Sequence, residues 1–429
     1  MKLVYKVVFF LFFLIIILAV IAYARGYRPD LSSGTLTPTG IIATSSSPRA
    51  SKVYVNGDLK GVTDLNLTLP PGTYNVEVQR DGYHTWSKEI KLKGELVAVV
   101  DPVLFPINPS LTLLTNLRVI KAVAVDDTEK VLLFTETGDP LKDGVYLFES
   151  NRRPLSFLPP LTPIILKKDI PVSAEYSFSD SVVYFSPDYK QMVIQIKPTL
   201  QTEPFSYLFS VDGENQTPLD TTQSIDNLLA AWDKERTQQN LKILSTFPKE
   251  MVKVASDSMQ VISFSPDKKK ILYKTERDLT LPQFKKPVIS SNQSPETREL
   301  KKGELYVYDK EEDRNYKIPY NIQYQGSILK KNTPTPARNI SLIPSPTPLA
   351  AELTEIPPIN WYYDSKHLIM SEKKIISAMD YDGTNRKTVY SGPFEEKFLV
   401  NTADGKIIVL SNLNPENNPY PDLYLVGIR

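Results

Sequence analysis

Chemistry in a protein of 429 residues needs side chains able to move protons, attack carbonyls or hold metals, and this chain carries few of the usual ones. It has no cysteine, so thiolate nucleophiles, thiolate metal sites and disulfides are all excluded. It has two histidines, His84 and His367, too few for a site that places two or three imidazoles on one metal. A Ser-His-Asp arrangement would need one of these two. His84 falls in a short-stranded segment near the N-terminus, and His367 in a hairpin just before an apolar strand; both read as surface residues. Asp380-Tyr381-Asp382-Gly383-Thr384-Asn385 superficially suggests a calcium loop, yet it lacks the remaining ligand spacing of an EF-hand and reads as a hairpin turn. No Gly-x-Ser-x-Gly elbow, phosphate-cradling glycine loop or His-Glu-x-x-His helix occurs. No catalytic, cofactor or metal residue is nominated, and the ligand-binding residues stay unknown at this stage.

The elements around these residues are more informative. Val7 to Ala24 read VVFFLFFLIIILAVIAYA, an uncharged run long enough to cross most of a hydrocarbon core about 30 Å thick. Lys2 and Lys6 precede it, and Arg25, Arg28 and Asp30 follow. The slight bias favours a cytoplasmic N-terminus with the body outside. Ala22-Tyr23-Ala24 resembles a signal-peptidase site, but the run exceeds the 7–15 residues of an ordinary signal core, which favours an uncleaved anchor over residues 1–25. Residues 26–39, rich in Ser, Thr, Gly and Pro, read as a spacer. The 50 basic and 49 acidic side chains nearly cancel, so no global field draws nucleic acid.

From residue 40 to 106 the pattern alternates with period two. Lys52 to Val55 is a strand ending in Asn56-Gly57, a strong hairpin signal because both residues tolerate positive φ. A second strand runs from Tyr74 to Val78, with Val76 and Val78 on one face, and ELVAVVDPVLFP supplies another. Several short strands parted by turns indicate a small sandwich. Val53-Tyr54-Val55-Asn56-Gly57, Gly61-Val62-Thr63, Leu69-Pro70-Pro71-Gly72-Thr73-Tyr74 and Gly82-Tyr83 with Trp86 resemble a PEGA domain. Pro48-Arg49-Ala50 stands where that family's naming tetrapeptide would lie, and Asp64 replaces a usual proline. The resemblance implies a structural or binding module at the cell surface, with no catalytic residues. His84 and Trp86, near the end of this unit, admit two readings: an aromatic platform for sugar or peptide, or Tyr83 and Trp86 filling the small core or covering its edge, which is preferred.

From 107 to 429 one theme recurs. Val182 to Phe185 leads through Ser186-Pro187-Asp188 into Met192-Val193-Ile194. Val261 to Phe264 leads through Ser265-Pro266-Asp267 into Ile271-Leu272-Tyr273. Asn360 to Tyr363 leads through Asp364 into Leu368-Ile369-Met370. Weaker copies lie at Asp126 to Phe134 and Thr402 to Leu410. Third strands follow at Gly144, Tyr207, Gly303, Ile376 and Asp422. The proline presets φ and the aspartate caps the turn between two apolar strands. These units resemble the blades of TolB-like β-propellers, with Tyr189 or Lys268 where that family has glycine. Five units are clear, with room for six or seven. Insertions are expected near 225–247 (an amphipathic helix, on the rim or docking a partner), near 287–302, and near 332–358 (a Pro-rich loop).

The expectation is thus an all-β protein: a transmembrane helix, a PEGA-like sandwich and a propeller of five to seven blades. Its function would be to bind or scaffold protein or glycan of the cell envelope, without catalysis, cofactor or nucleic acid, held to the membrane by residues 7–24. The alternative is an extracytoplasmic hydrolase or lyase using acidic residues in the propeller channel; a clustered, buried carboxylate pair would favour it.

Overall fold

The structure is a computed structural model; it describes residues 2–24, 26–30, 35–125, 128–150, 161–172, 174–200, 203–285, 294–320 and 359–428. The chain divides into two compact units, one built on Met1–Ile107 and the other on Asn108–Val288 and Glu296–Ile428. The expected loop at 332–358 and residues 287–293 of the polar stretch expected at 287–302 lie outside the described residues.

The first unit opens with helix α1, Lys2–Ala24. Within it Val4–Ala24 has a mean hydropathy of 3.2, and none of that span is buried. Leu, Ile, Phe and Val cover every face, which suits a lipid surround. Its 21 residues, at about 1.5 Å each, match a hydrocarbon core. The segment read as a spacer holds a two-stranded hairpin, Tyr27–Asp30 against Thr35–Pro38. Each strand has a single partner there, so Pro29 and Pro38 cost few ladder bonds.

Two sheets follow. One is antiparallel, ordered Asp58–Val62, Lys52–Val55, Gly72–Gln79, Trp86–Leu92; the other is ordered Leu65–Leu69, Gly40–Thr44, Val97–Val100, its last pair parallel. Alternation sends Val53, Val55, Val76, Val78, Ile42 and Ile90 into a shared core. Asn56 and Gly57 both have positive φ, 52° and 86°, as the hairpin signal requires.

The second unit holds five four-stranded antiparallel sheets among the described residues. Blade 1 comprises Val119–Ala124, Lys130–Thr135, Gly144–Glu149 and Leu161–Leu166; blade 2, Val182–Phe185, Gln191–Ile196, Phe205–Ser210 and Leu219–Asp220. Blade 3 comprises Met259–Phe264, Lys270–Thr275, Leu305–Asp309 and Arg314–Ile318; blade 4, Ile359–Trp361, His367–Glu372, Ile375–Asp380 and Lys387–Ser391. Blade 5 takes Leu399–Asn401, Ile407–Ser411 and Asp422–Gly427, and completes its outer edge with Ser110–Leu113 from the start of the unit. The unit is a β-propeller with five blades among the described residues, and this pairing joins its start to its end.

Central strands are apolar on both faces because each face is covered, by a neighbouring blade or by a helix. Leu132 and Phe134 join the core with blade 2, whereas Val131 and Leu133 join the core with blade 5. Likewise Leu272 packs toward blade 4, and Ile271 and Tyr273 toward two helices. Those helices are α2 (Ile225–Leu244), in the segment expected to be helical, and α3 (Lys249–Ser258), which was not expected. Trp232, Arg236 and Leu244 are the buried side of α2, and Arg236 Nη2 donates to Phe185 O of blade 2 at 2.9 Å. Met251 and Ala255 of α3 complete the cover over blade 3.

Candidate functional site

The Ser-Pro-Asp turns close by local bonds. In blade 2, Ser186 Oγ donates to Asp188 Oδ1 at 2.7 Å and accepts the Gln191 N–H at 2.9 Å. In blade 3, Ser265 Oγ donates to Asp267 Oδ1 at 2.6 Å and accepts the Lys270 N–H at 2.9 Å. Thr402, Asp404 and Lys406 repeat the arrangement in blade 5. The Ser186 hydroxyl and the Lys190 N–H hold the Asp188 carboxyl below its ordinary range. These aspartates are turn caps.

Blade 4 departs from this pattern. Tyr362 stands where the hydroxyl would be, and Asp364 turns instead to His367: its Oδ2 lies 2.6 Å from Nδ1. On the other side, His367 Nε2 lies 3.3 Å from Asp380 Oδ1. His367 was read as a surface residue; it is 3% exposed, and this is the main correction at the residue level. A polar ring in that place is tolerated because two carboxylates meet it. Burial alone would lower its pKa, but the charges and hydrogen bonds of Asp364 and Asp380 outweigh burial and raise it from 6.5 to about 10. Asp364 is held low in turn; burial opposes this, and the charge and bonds of His367 prevail. The group is an imidazolium between two acids. Both ring nitrogens face carboxylates, an arrangement unlike a general base that must face a serine.

The same pair of positions is charged in two other blades. The first residue of the second strand faces the last residue of the third: Lys130 with Glu149, Lys270 with Asp309, and His367 with Asp380. The ion-pair distances are 3.3 Å, 3.8 Å and 3.3 Å. Blade 2 has the neutral pair Gln191 and Ser210. The imidazole cluster is therefore one instance of a recurring brace across the two central strands. Asp-x-x-His in one copy, where two others have Asp-x-x-Lys, is the sequence signal that would have found it.

The suggested calcium loop is a turn between the last two strands of blade 4. Its acids are taken up internally: Asp382 Oδ1 accepts from the Thr384 N–H and hydroxyl at 3.1 Å and 2.6 Å, and Asp380 Oδ2 accepts from Asn385 Nδ2 at 3.0 Å. Among the described residues no group of three His, Cys, Asp or Glu is arranged to hold a metal ion. Two described carboxyls are pushed above their ordinary value, both mainly by burial: Asp309 in blade 3 and Asp422 in blade 5. They belong to different sheets and form no pair. In the first unit Trp86 is in the sandwich core, Tyr83 is half-buried with the Arg80 guanidinium 6.0 Å from its ring centre, and His84 is half-buried. The core-filling reading of Trp86 is the one its position supports.

Residues 39–104 match the PEGA domain family. No curated protein matches the chain. Among solved structures, it is similar to a protein assigned as TolB from Agrobacterium tumefaciens, 10% identical, covering 76% of this chain and 74% of that one with a TM-score of 0.20. It is also similar to hydrazine synthase from Kuenenia stuttgartiensis, 9% identical, covering 91% and 95%, TM-score 0.18. A third is an auxiliary nutrient binding protein from Bacteroides thetaiotaomicron, 8% identical, covering 91% and 83%, TM-score 0.19.

Proposed function

We propose that this chain is a membrane-anchored extracytoplasmic protein that binds or scaffolds envelope components, engaging protein or glycan through its propeller and catalysing no reaction. The observation that carries this reading is the brace. The buried acid-imidazole-acid cluster is the arrangement nearest to reaction chemistry among the described residues, and its positions recur as Lys-carboxylate pairs in blades 1 and 3. A catalytic constellation would be particular to one place, whereas a brace repeats with the fold. The apolar N-terminal helix and the PEGA match support the anchored, surface-facing half of the reading.

External protease on intact cells, read with an N-terminal tag and a C-terminal antibody, tests the topology. Digestion of the body leaving a small protected N-terminal fragment supports it; a body protected until lysis in a cell without an outer membrane overturns it. Cosedimentation of the detergent-solubilised full chain with purified envelope glycan then tests that ligand class directly.

A further inference from the structure

The membrane-facing end of the sandwich can be read from hydrogen bonds. The Gly26 N–H donates to Tyr23 O of α1 at 3.1 Å, and the Thr39 N–H donates to Gly26 O at 3.0 Å. Glu95 N–H donates to Thr39 O at 2.9 Å, and Ile41 N–H to Leu96 O at 2.9 Å. The starts of two strands, Gly40–Thr44 and Val97–Val100, are therefore bonded, through Gly26, to the last turn of the apolar helix. Ile41 is two residues past Thr39, about 7 Å of extended chain. The headgroup layer on each side of a bilayer is itself about 5–8 Å thick. The first rows of this sheet lie at headgroup level if α1 spans the bilayer.

On two of that sheet's three strands the outward side is apolar, where a water-facing strand would alternate to polar. Ile41 and Val97 are register partners, and Val99 faces Ala43 in the next row. Ile41 is 36% exposed, Val97 57% and Val99 55%. Val97–Val100 pairs with one neighbour only, so this is also the sheet's edge. Exposed charge at the rim is mixed, Lys93 beside Glu95, and the third strand adds Thr68 and Asn66 in the same rows.

We propose that this face is a membrane-contact surface: Ile41, Val97 and Val99 rest in the lipid interface beside the anchor, so that the sandwich lies against the bilayer. Ordinary phospholipid is the occupant, recognised by apolar contact at headgroup depth. The proposal rests on the anchored reading given above.

The absence of cysteine makes the test direct. Single cysteines are placed in the full chain at Leu14, Val97, Val99 or Asp81, nitroxide-labelled, and reconstituted into vesicles of phosphatidylcholine and phosphatidylglycerol. Asp81 is at the far end of the sandwich, in the turn after Gln79, with its side chain 99% exposed. Collision rates with oxygen and with a water-soluble nickel chelate report depth. The expected order of the oxygen-to-nickel ratio is Leu14, then Val97, then Val99, then Asp81, with Val97 about threefold or more above Asp81. A Val97 ratio equal to that of Asp81, with Leu14 deep in lipid, overturns the contact surface and leaves the anchor standing. A water-exposed Leu14 overturns the anchor and this proposal with it.

Discussion

At the scale of single residues, the cluster of Asp364, His367 and Asp380 makes the sharpest predictions. Removing one member of a buried charged group leaves the others uncompensated, so His367→Gln should cost about 3–5 kcal/mol in urea unfolding. Blades 1 and 3 solve the same position with lysine, so His367→Lys should cost about half of that or less. Equal losses for the two would show that ring shape rather than charge matters. The pH dependence has a definite sign. His367 has a folded-state value raised from 6.5 to about 10. It therefore contributes its full stabilisation below about 6.5 and loses it as pH climbs through about 10. Unfolding free energy should fall across that window in the native protein, and the fall should be shallower in His367→Gln. A native profile parallel to that of the variant would refute the imidazolium.

Among secondary elements, the turns show how far the sequence is legible. Ser-Pro-Asp followed by an apolar run located the first two strands of blades 2 and 3, because proline, aspartate and hydroxyl act within six residues and need no distant partner. Lys52 to Val55 is recovered at its own bounds for the same reason, with Asn56-Gly57 ending it. Helix α3 was missed, since it begins right after Pro248, spans 10 residues and runs straight into a strand. Its apolar positions make sense only against Ile271 and Tyr273. The burial of His367 was missed because a polar ring becomes a core residue only when an acid from another strand faces it. One turn position also invites improvement. Lys268 has φ of 57° where Gly405 serves in blade 5. Left-handed backbone costs a residue with a Cβ about 1–2 kcal/mol, offset in part by the greater freedom of glycine when unfolded. Lys268→Gly should raise stability by about 0.5–1 kcal/mol, measured by thermal or urea unfolding. Tyr189, at φ 55°, should gain less, because its ring packs near Phe185 with centroids 6.1 Å apart.

For the propeller as a whole, one clasp holds the ring shut. Leu114 N–H donates to Leu423 O at 2.8 Å, and Leu423 N–H to Thr115 Oγ1 at 2.9 Å. Asp422 Oδ1 accepts from Thr115 Oγ1 at 3.2 Å and from the Leu117 N–H at 3.0 Å. No local pattern announces this pairing, because its two sides are some 300 residues apart. Asp422→Ala strips the acceptor from a buried donor and should cost about 1–3 kcal/mol. Limited proteolysis should then cut first near residues 108–118; cutting at another blade would place the weak seam elsewhere.

The same clasp sets an order of events during synthesis. Ser110–Leu113 emerges some 300 residues before its partner strand Asp422–Gly427 is made. At about 5–20 residues per second, the early strand waits on the order of tens of seconds without its sheet partner. Blades 1 to 4 are complete for part of that interval, and blade 5 cannot form. A nascent chain of this design is an unfinished ring with an open strand edge, and that edge must be kept from finding the wrong neighbour until blade 5 can form.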